Sequence, residues 1–327
     1  MVEASPELVR AQIKSARYYA APDVALKDVE LSIRPGEFVV ITGPAASGKS
    51  TLCYCLTGVI PHSISADLDG EVFVAGRRLR YLELGEGDSV PVLLLHGFGA
   101  DLNTWMFTQP VLAEGRRVIA LDLPGHGGSA KEVGPGNAEH FTDAVESAAG
   151  ALGIERVHLV GHSMGGAVAA SLALRRPELV ATLTLIASAG LGPDINAAFI
   201  DGFVRASRRR EAVEVLDLLV HDPALVSRTM VEDVLRYKRL DGVAASLAKI
   251  AEAWFAGGRQ SLDLTTDIAA LGLPIQIIWG REDRILPVSH AEALASRLPV
   301  HILNDAGHLP HMEKAGEVNR LLKRLVG

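Results

Sequence analysis

The chain has 327 residues, which is long enough to bury a large core and to form one large domain or two smaller ones. Charged residues make up 22% of it and hydrophobic residues 48%, an ordinary balance for a globular protein. The formal net charge of −7 argues against a general affinity for nucleic acid or for an anionic membrane surface.

The cysteines and the N-terminus bear on the cellular compartment. Cys53 and Cys55 are too close in sequence to form an ordinary disulfide, which favours a reducing, cytoplasmic setting. The first seven residues lack the basic and apolar regions of a signal peptide. Residues 179–192, the most apolar stretch, are too few to span a bilayer and are interrupted by Thr and Ser. We therefore expect a cytoplasmic protein that neither enters a membrane nor binds nucleic acid.

The first motif in chain order is a phosphate-binding loop. Residues 38–42 are predicted to form a buried strand, and residues 43–51 read Gly-Pro-Ala-Ala-Ser-Gly-Lys-Ser-Thr before an apolar helix begins. In such a loop the backbone N–H groups surround the phosphates, the lysine meets the outer phosphates and the serine hydroxyl can ligate Mg²⁺. The candidate nucleotide-binding residues are Gly43, Gly48, Lys49, Ser50 and Thr51.

The residues around this loop resemble the N-terminal part of an ABC-transporter ATPase. The lead-in over residues 24–37 and the stretches at residues 56–62 and 70–76 carry the resemblance, which extends over residues 15–76. It implies binding of ATP and Mg²⁺.

The resemblance ends before the parts that an ATPase uses for hydrolysis. The sequence has no Leu-Ser-Gly-Gly-Gln signature, no apolar strand ending in Asp-Glu and no switch histidine after such a strand. A nucleotidase needs a group that holds the metal and positions the water, as well as a phosphate cradle. We therefore interpret residues 1–73 as a truncated ATPase-like segment. The alternative function is an ATP-binding ABC-type module that carries the second domain as a fusion.

From about residue 74 the chain alternates between strand and helix patterns. Residues 74–85 have the pattern of an antiparallel hairpin that opens a domain. Further strands are predicted at residues 92–95, 117–121, 157–160, 182–186, 275–279 and 301–303, and helices at residues 103–112, 138–152, 164–175, 290–297 and 317–325. This alternation predicts an α/β fold with a mostly parallel sheet and helices on both faces. The second domain is assigned to residues 74–327.

Strand patterns are missing from about residue 189 to residue 264. Amphipathic helices are predicted there at residues 195–210, 211–219, 226–236 and 243–255. Because the insertion follows a strand of the sheet, we expect a helical cap over the strand ends that excludes water and selects substrate. Its arginine cluster is interpreted as a solvated face or, alternatively, as a docking point for an anionic arm. The cluster consists of Arg205, Arg208, Arg209 and Arg210.

The second domain is centred on Gly-His-Ser-Met-Gly at residues 161–165. This stretch joins a predicted strand directly to a predicted helix. Such a turn forces the residue between the two elements into a strained elbow, and the flanking glycines leave its approach open. The Ser163 hydroxyl is thereby pushed out above the carboxyl end of the sheet, at a helix N-terminus whose N–H groups favour negative charge. Ser163 is the predicted nucleophile.

Two turns are predicted to supply the donors for an oxyanion. The strand at residues 92–95 runs into His-Gly-Phe-Gly-Ala at residues 96–100. In acyl-transfer sites of this architecture that turn gives one N–H, and the residue after the nucleophile gives the other. We assign the donors to Phe98 and Met164.

The acid is predicted from the turn after the strand at residues 275–279. Asp283 lies there in a Gly-X-X-Asp-X-X-X-Pro pattern and is preferred over Glu282 as the carboxylate that orients a histidine. Asp122, in an earlier turn, is interpreted as structural.

The base is predicted from the turn after the last strand. His308 follows a glycine there, so its ring can turn back towards Ser163. His311 is a rival base within the next helix, and His126 and His162 are rivals in turns that shape the pocket.

The order Ser163, Asp283, His308 is the serine–acid–histidine order of the α/β-hydrolases. Residues 74–327 resemble that superfamily over essentially their whole length. The fold class that this implies is an α/β-hydrolase fold with a helical cap, preceded by a partial phosphate-binding-loop segment.

A closer resemblance is to the hydrolase-like catalytic domain of the dihydrolipoamide acetyltransferase component of acetoin dehydrogenase complexes. It is carried by residues 85–87, 95–105, 121–127, 186–196 and 237–242. The resemblance implies acetyl transfer from a lipoyl arm to coenzyme A, with a lipoyl-bearing partner or coenzyme A as acyl carrier. Family members carry a lipoyl domain ahead of this one. Here the ATPase-like segment takes its place, without a lipoyl-lysine motif.

The expected activity is serine-dependent acyl transfer or hydrolysis of a small acyl ester or thioester. Ser163 would form an acyl intermediate, His308 would act as base and then acid, and Asp283 would fix its tautomer. The acceptor is water in an esterase or thioesterase, or a thiol in an acetyltransferase, and carbon–carbon bond hydrolysis is a third reaction. The triad requires neither a metal nor a cofactor.

Overall fold

The computed structural model describes residues 9–18, 23–33, 41, 47–56, 66–74 and 79–327. The chain divides into two compact units, one formed by residues 1–80 and 128–130 and the other by residues 81–127 and 131–327. The domain boundary predicted after residue 73 stays a prediction.

The first unit contains a three-stranded antiparallel sheet and a helix among its described residues. Strand β1 (Val9–Tyr18) lies in the centre and pairs with β2 (Leu26–Ile33) on one side and with β3 (Ala66–Val74) on the other. Helix α1 (Lys49–Leu56) follows the predicted phosphate-binding loop. Its buried Cys55 packs with apolar residues of β1 and β2 in a small core.

The second unit is built on a seven-stranded sheet. The strands are β4 (Tyr81–Leu84), β5 (Val92–Leu95), β6 (Val118–Leu121), β7 (Val157–His162), β8 (Val180–Ile186), β9 (Ile275–Gly280) and β10 (Val300–Leu303). They lie in the order β10-β9-β8-β7-β5-β6-β4. β4 is antiparallel to β6, and every other neighbouring pair is parallel.

The strands from β5 to β9 are apolar because helices cover both faces of the sheet. Every residue of these five strands is buried. A parallel sheet covered in this way reads as continuous runs of Val, Ile and Leu, which is the pattern that predicts these strands. The predicted strands are confirmed, with ends that agree to within one or two residues.

The helices of the second unit flank and cap this sheet. In chain order they are α2 (Gln109–Leu112), α3 (Ala138–Ala151), α4 (Met164–Arg175), α5 (Ala197–Arg205), α6 (Arg209–Leu216), α7 (Arg228–Lys238), α8 (Val243–Phe255), α9 (Thr265–Ala270), α10 (Ser289–Glu292), α11 (Pro310–Glu313) and α12 (Ala315–Val326). None of the described helices is both long and apolar enough to cross a membrane.

One predicted helix is divided in the structure, and the break between two others is shifted. The helix predicted at residues 103–112 is a 3₁₀ turn at Leu102–Trp105 followed by α2, whose first turn contains a proline that lacks a backbone donor. The helices predicted at residues 195–210 and 211–219 are α5 and α6, and the break between them lies at residues 206–208. Glu211 accepts hydrogen bonds from the N–H groups of Ser207 and Arg208 at 2.9 and 3.1 Å, which caps a new helix at that point.

The hairpin predicted over residues 74–85 stays a prediction, because residues 75–78 lie outside the described residues. On either side of them, β3 ends at Val74 and pairs with β1, and β4 begins at Tyr81 and pairs with β6.

Candidate active site

Ser163 lies at a strained turn between β7 and α4. Its φ of 52° and ψ of −121° are unusual for a residue that carries a side chain. The turn is held by its backbone: the Ser163 N–H donates to the Ile186 carbonyl at 3.0 Å, and the Ser163 carbonyl accepts from Gly166 at 2.9 Å and from Ala189 at 3.0 Å. The Ser163 side chain is largely buried at the N-terminus of α4.

Glycines allow the end of β5 to approach this elbow. A Cβ atom on Gly165 would lie 2.3 Å from the His96 carbonyl oxygen and 2.5 Å from that of Leu95. A Cβ atom on Gly97 would lie 3.0 Å from the Ser163 Cβ. The turn after β5 therefore lies directly against the nucleophile elbow, as the spacing of glycines predicts.

The two predicted oxyanion donors lie on these two adjoining turns. Phe98 follows Gly97, and Met164 is the first residue of α4. In the part of the chain that the structure describes, neither N–H donates a hydrogen bond to another protein group. Both remain available to a ligand, and the N-terminus of α4 adds the positive end of its dipole.

Asp283 and His308 are brought together by the turns after β9 and β10. The His308 Nδ1–H donates to Asp283 Oδ2 at 2.8 Å, and both side chains are almost fully buried. The other oxygen of Asp283 accepts from the N–H groups of Ile285 and Leu286 at 2.8 and 3.0 Å. This arrangement fixes the tautomer of His308 with the proton on Nδ1 and leaves Nε2 free to accept one.

His308 is also tied to the residue that precedes Ser163. The His162 Nε2–H donates to the His308 carbonyl at 2.8 Å, and the centres of the two rings are 4.9 Å apart. The loop of the predicted base therefore lies against the elbow of the predicted nucleophile.

The rival histidines are buried and engaged elsewhere. The ring of His311 shares a 2.8 Å hydrogen bond with Thr104, and burial lowers the pKa of His311 to about 3. The His126 Nδ1–H donates to the Pro124 carbonyl at 2.9 Å, and burial holds the pKa of His126 well below its usual value. Burial lowers the pKa of His162 in the same way. Burial therefore keeps each of the three rings neutral, and each ring packs inside the protein.

Asp122 occupies a buried position next to these turns. Its Oδ1 accepts from the Leu102 N–H at 2.7 Å, and its carboxylate leaves no space for a side chain at Gly127, whose Cβ would lie 2.1 Å from Oδ2. These contacts fit the structural interpretation of Asp122.

The helices between β8 and β9 lie over the carboxyl ends of the strands. The ring of Phe98 contacts Phe203 of α5 and Phe255 of α8, with ring centres 5.7 and 6.0 Å apart. The Tyr237 hydroxyl of α7 donates to the Gly125 carbonyl at 2.6 Å, in the turn after β6. Aromatic side chains of these helices thus lie next to the turn that carries Phe98, and a cap over the site stays a prediction.

Sequence reasoning missed Glu313, whose carboxylate accepts hydrogen bonds from the backbone on both sides of His308. The available signal was its place in α11, since an acidic side chain in a first helical turn interacts with N–H groups near the helix start.

The predicted nucleotide-binding residues lie in the first unit, apart from the triad residues in sequence. Lys49 begins α1, and its Nζ donates to Ser47 Oγ at 3.2 Å. The Thr51 hydroxyl shares a 3.0 Å hydrogen bond with the Tyr18 hydroxyl. Gly43 and most of the strand predicted at residues 38–42 lie outside the described residues. Across the described ranges, no group of three His, Cys, Asp or Glu side chains is placed to hold a metal ion.

Comparison with known families matches both parts of the chain. The family described as alpha/beta hydrolase fold matches residues 90–315. The family described as ABC transporter matches residues 26–88. Both resemblances predicted from the sequence are confirmed.

Individual relatives resemble the larger part. The dihydrolipoyllysine-residue acetyltransferase component of the acetoin cleaving system of Cupriavidus necator is 43% identical over 254 residues, which cover 78% of this chain and 68% of the relative. The component of the same name from Pseudomonas putida is 46% identical over 247 residues, with 76% and 66% covered. This chain therefore spans about two thirds of their length. A solved meta-cleavage product hydrolase from Pseudomonas fluorescens, in complex with acetates, matches with a TM-score of 0.70 at 28% identity, covering 76% of this chain and 94% of that one.

Proposed function

The chain belongs to the alpha/beta hydrolase fold family, and from that premise we propose that it catalyses acyl transfer or hydrolysis through an acyl-Ser163 intermediate. The observation that carries the proposal is the 2.8 Å hydrogen bond between His308 and Asp283, in a loop that lies against the elbow of Ser163. A buried acid–histidine pair next to a strained serine is the arrangement that activates a hydroxyl for attack.

The proposed reaction has two halves. His308 Nε2 takes the proton of the Ser163 hydroxyl as its oxygen attacks the acyl carbonyl, while Asp283 stabilises the protonated ring. The N–H groups of Phe98 and Met164 hold the negative oxygen that develops, an interaction whose loss typically costs about 3–4 kcal/mol of transition-state stabilisation. His308 then gives the proton to the leaving group. In the second half His308 takes a proton from the acceptor as the acceptor attacks the acyl carbonyl, and it returns that proton to the Ser163 oxygen as the bond between Ser163 and the acyl group breaks.

The relatives' names favour a thiol as the acceptor. Two relatives above 40% identity are named as acetyltransferase components of an acetoin cleaving system. A small acyl group on a thioester, carried by a lipoyl arm of a partner protein or by coenzyme A, is therefore the proposed substrate class. Either carrier would be a substrate and not a resident cofactor.

Hydrolysis is the second candidate within the same site. A relative named as a 2-hydroxymuconate semialdehyde hydrolase and a solved structure of a meta-cleavage product hydrolase match nearly their whole length to this chain. They favour water as acceptor, and extend the candidates to substrates in which a carbon–carbon bond is broken.

Labelling with a fluorophosphonate probe tests the nucleophile. We expect the folded protein to form one adduct, which peptide mapping places on Ser163, and we expect Ser163→Ala to form none. An unlabelled Ser163 in folded wild-type protein would refute the proposal.

The acceptor is tested with a panel of acyl thioesters and p-nitrophenyl esters, each assayed with and without coenzyme A. Formation of acyl-coenzyme A faster than free acid supports the transferase, and release of acid unaffected by the thiol supports the hydrolase.

An ATP-binding module remains the alternative function, favoured by the ABC transporter match at residues 26–88. Calorimetric titration with Mg·ATP, compared between wild type and Lys49→Ala, tests it. Binding that is lost in the variant supports the alternative, and absence of heat in the wild type dismisses it.

A further inference from the structure

The loop that carries His308 contacts the backbone of the segment between α6 and α7. The His308 N–H donates to the Leu219 carbonyl at 2.8 Å. Gly307 leaves no space for a side chain, because a Cβ atom there would lie 2.8 Å from the His221 nitrogen and 2.9 Å from the Leu219 carbonyl oxygen. Residues 217–221, which we name the cap linker, therefore lie in direct contact with the loop of the proposed base.

One carboxylate joins the cap linker to this loop. Glu313 Oε1 accepts from the N–H groups of Gly307 at 2.9 Å and Leu309 at 3.2 Å, the residues on either side of His308. Glu313 Oε2 accepts from the N–H of His221 at 2.6 Å. Hydrogen bonds to an ionised acceptor are about twice as strong as neutral ones, so this single side chain can hold the two backbone segments in register through three N–H groups.

The same cap linker is held from the loop of the proposed acid. Arg284 follows Asp283, and its guanidinium donates to the carbonyls of Asp217 and Val220, the latter at 2.8 Å. The cap linker is thus bonded to both loops whose side chains form the Asp283–His308 pair. A displacement of the linker would act on both members of that pair.

We propose that Glu313 is a positioning residue for His308, which couples the placement of the base to the placement of the cap linker. The proposal rests on the proposed role of His308. Both carboxylate oxygens are occupied by backbone N–H groups, so Glu313 acts through the loop and does not touch the substrate. Its contribution is to keep His308 Nε2 aligned with Ser163 during the two proton transfers, since small displacements of a catalytic group cost large factors in rate.

The test compares three variants in the full chain. Glu313→Ala removes all three hydrogen bonds. Glu313→Gln keeps the shape of the side chain and part of its accepting capacity. Glu317→Gln is the matched control, because Glu317 is exposed and lies one helical turn further along. The readouts are kcat and KM for a p-nitrophenyl ester, and the second-order rate of fluorophosphonate labelling.

We expect Glu313→Ala to lower kcat and the labelling rate by about 10–100-fold with KM changed by less than about threefold, and Glu313→Gln to restore part of the loss. Glu317→Gln should match the wild type. Hydrogen–deuterium exchange should rise in Glu313→Gln at residues 217–221 and 304–309 together.

Several outcomes would overturn the inference. Wild-type kcat and labelling in a folded Glu313→Ala protein would do so. If that variant does not fold, wild-type kcat and unchanged exchange in Glu313→Gln would do the same. A wild-type protein that is not labelled at Ser163 contradicts the proposed function instead, so the two failures are distinguishable.

Discussion

Ser163 holds a backbone conformation that is costly for a residue with a side chain, and its surroundings compensate for that cost. The φ of 52° persists because the ends of β5 and β8 are packed against the elbow. The tightest of these approaches is at Gly165, where the carbonyl oxygens of Leu95 and His96 occupy the space of a side chain. Rigid backbone on that side cannot move away from an added methyl group.

Gly165→Ala should therefore destabilise the protein and reduce labelling of Ser163. We expect a loss of about 1–3 kcal/mol or more in the free energy of unfolding, measured by urea denaturation, because an overpacked site must displace backbone. Gly150→Ala is the matched control. Gly150 lies in α3 with no atom within 4 Å of a built Cβ, so alanine should be neutral or stabilise by up to about 1 kcal/mol. Equal effects of the two substitutions would contradict the interpretation.

The buried histidines give the protein a specific dependence on pH. Burial lowers the folded-state pKa of His311 to about 3 and lowers that of His162 as well. In the unfolded chain each histidine titrates near pH 6.5, so below that pH the unfolded state binds more protons. The free energy of unfolding is therefore highest above about pH 6.5, and it decreases as the pH falls towards the folded-state pKa of these histidines.

Between pH 7 and pH 5 His311 should remove about 2 kcal/mol from the free energy of unfolding. Urea denaturation at the two pH values measures the total change. His311→Gln should reduce that change by about 2 kcal/mol. An unaltered pH dependence in His311→Gln would refute the assignment.

At the residue scale, the sequence predicts side chains that follow a strand directly. Ser163, Asp283 and His308 each lie in a turn after a strand of the sheet, so local patterns are enough to propose them. Glu313 could not be predicted in this way. One of its partners, the His221 N–H, lies 92 residues away and is a backbone group, which leaves no complementary residue type to recognise.

At the scale of elements, the C-terminal end of α5 is hydrogen-bonded to another helix of the predicted cap. The Lys238 ammonium group of α7 donates to the carbonyls of Phe203 and Ala206, and to that of Val204 at 3.3 Å. These carbonyls have no partner within the last turn of a helix, and a cation there also complements the helix dipole. Partial burial lowers the pKa of Lys238. The lysine thus joins α7 to α5.

Lys238→Met should reduce the free energy of unfolding by about 1.5–3 kcal/mol, because the carbonyls lose a charged donor in a partly buried place. Urea denaturation measures the loss. Arg236→Met on the same helix is the control. Arg236 is exposed and pairs with Asp233 at 3.1 Å, so its loss should cost less than about 1 kcal/mol. A Lys238→Met protein as stable as the Arg236→Met protein would contradict this role.

A strand can be predicted from its own sequence when it is buried on both faces. The strand with which it pairs cannot be predicted in this way. β5 to β9 are buried on both faces, which gives each an apolar run that is recognisable alone. β3, in contrast, pairs with β1, a strand far from it in sequence. Strand pairing depends on which partner offers the longer match, and a local pattern does not contain that information.

At the scale of the whole molecule, the two units differ in what their sequences establish. The alpha/beta hydrolase family matches the second unit. Among the described residues, the second unit also contains every group that hydrogen-bonds with Ser163, Asp283 or His308. The first unit carries a match to a different family. The sequence predicted both resemblances, whereas no local motif encodes the acyl group or the acceptor.

Lys49→Ala should accordingly leave acyl transfer unchanged. We expect kcat/KM for a p-nitrophenyl ester to stay within about twofold of the wild type, because no described hydrogen bond of the three residues reaches residues 1–80. Steady-state assays measure the ratio, with Ser163→Ala as the inactive reference. A large loss in Lys49→Ala would show that the phosphate-binding segment controls the hydrolase.

The placement of β3 has a consequence for the behaviour of the protein in a crowded solution. Since β3 pairs with β1, the large sheet ends among the described strands at β4 on one side and at β10 on the other, each four residues long. Edge strands present hydrogen-bonding groups that can recruit another chain and start aggregation. Here both margins are short, and at β4 Glu83 forms an ion pair with Arg117 at 2.7 Å. A short edge strand offers an incoming strand few backbone hydrogen bonds, and pairing next to charged side chains would require their desolvation. Both effects disfavour edge-to-edge aggregation of the sheet.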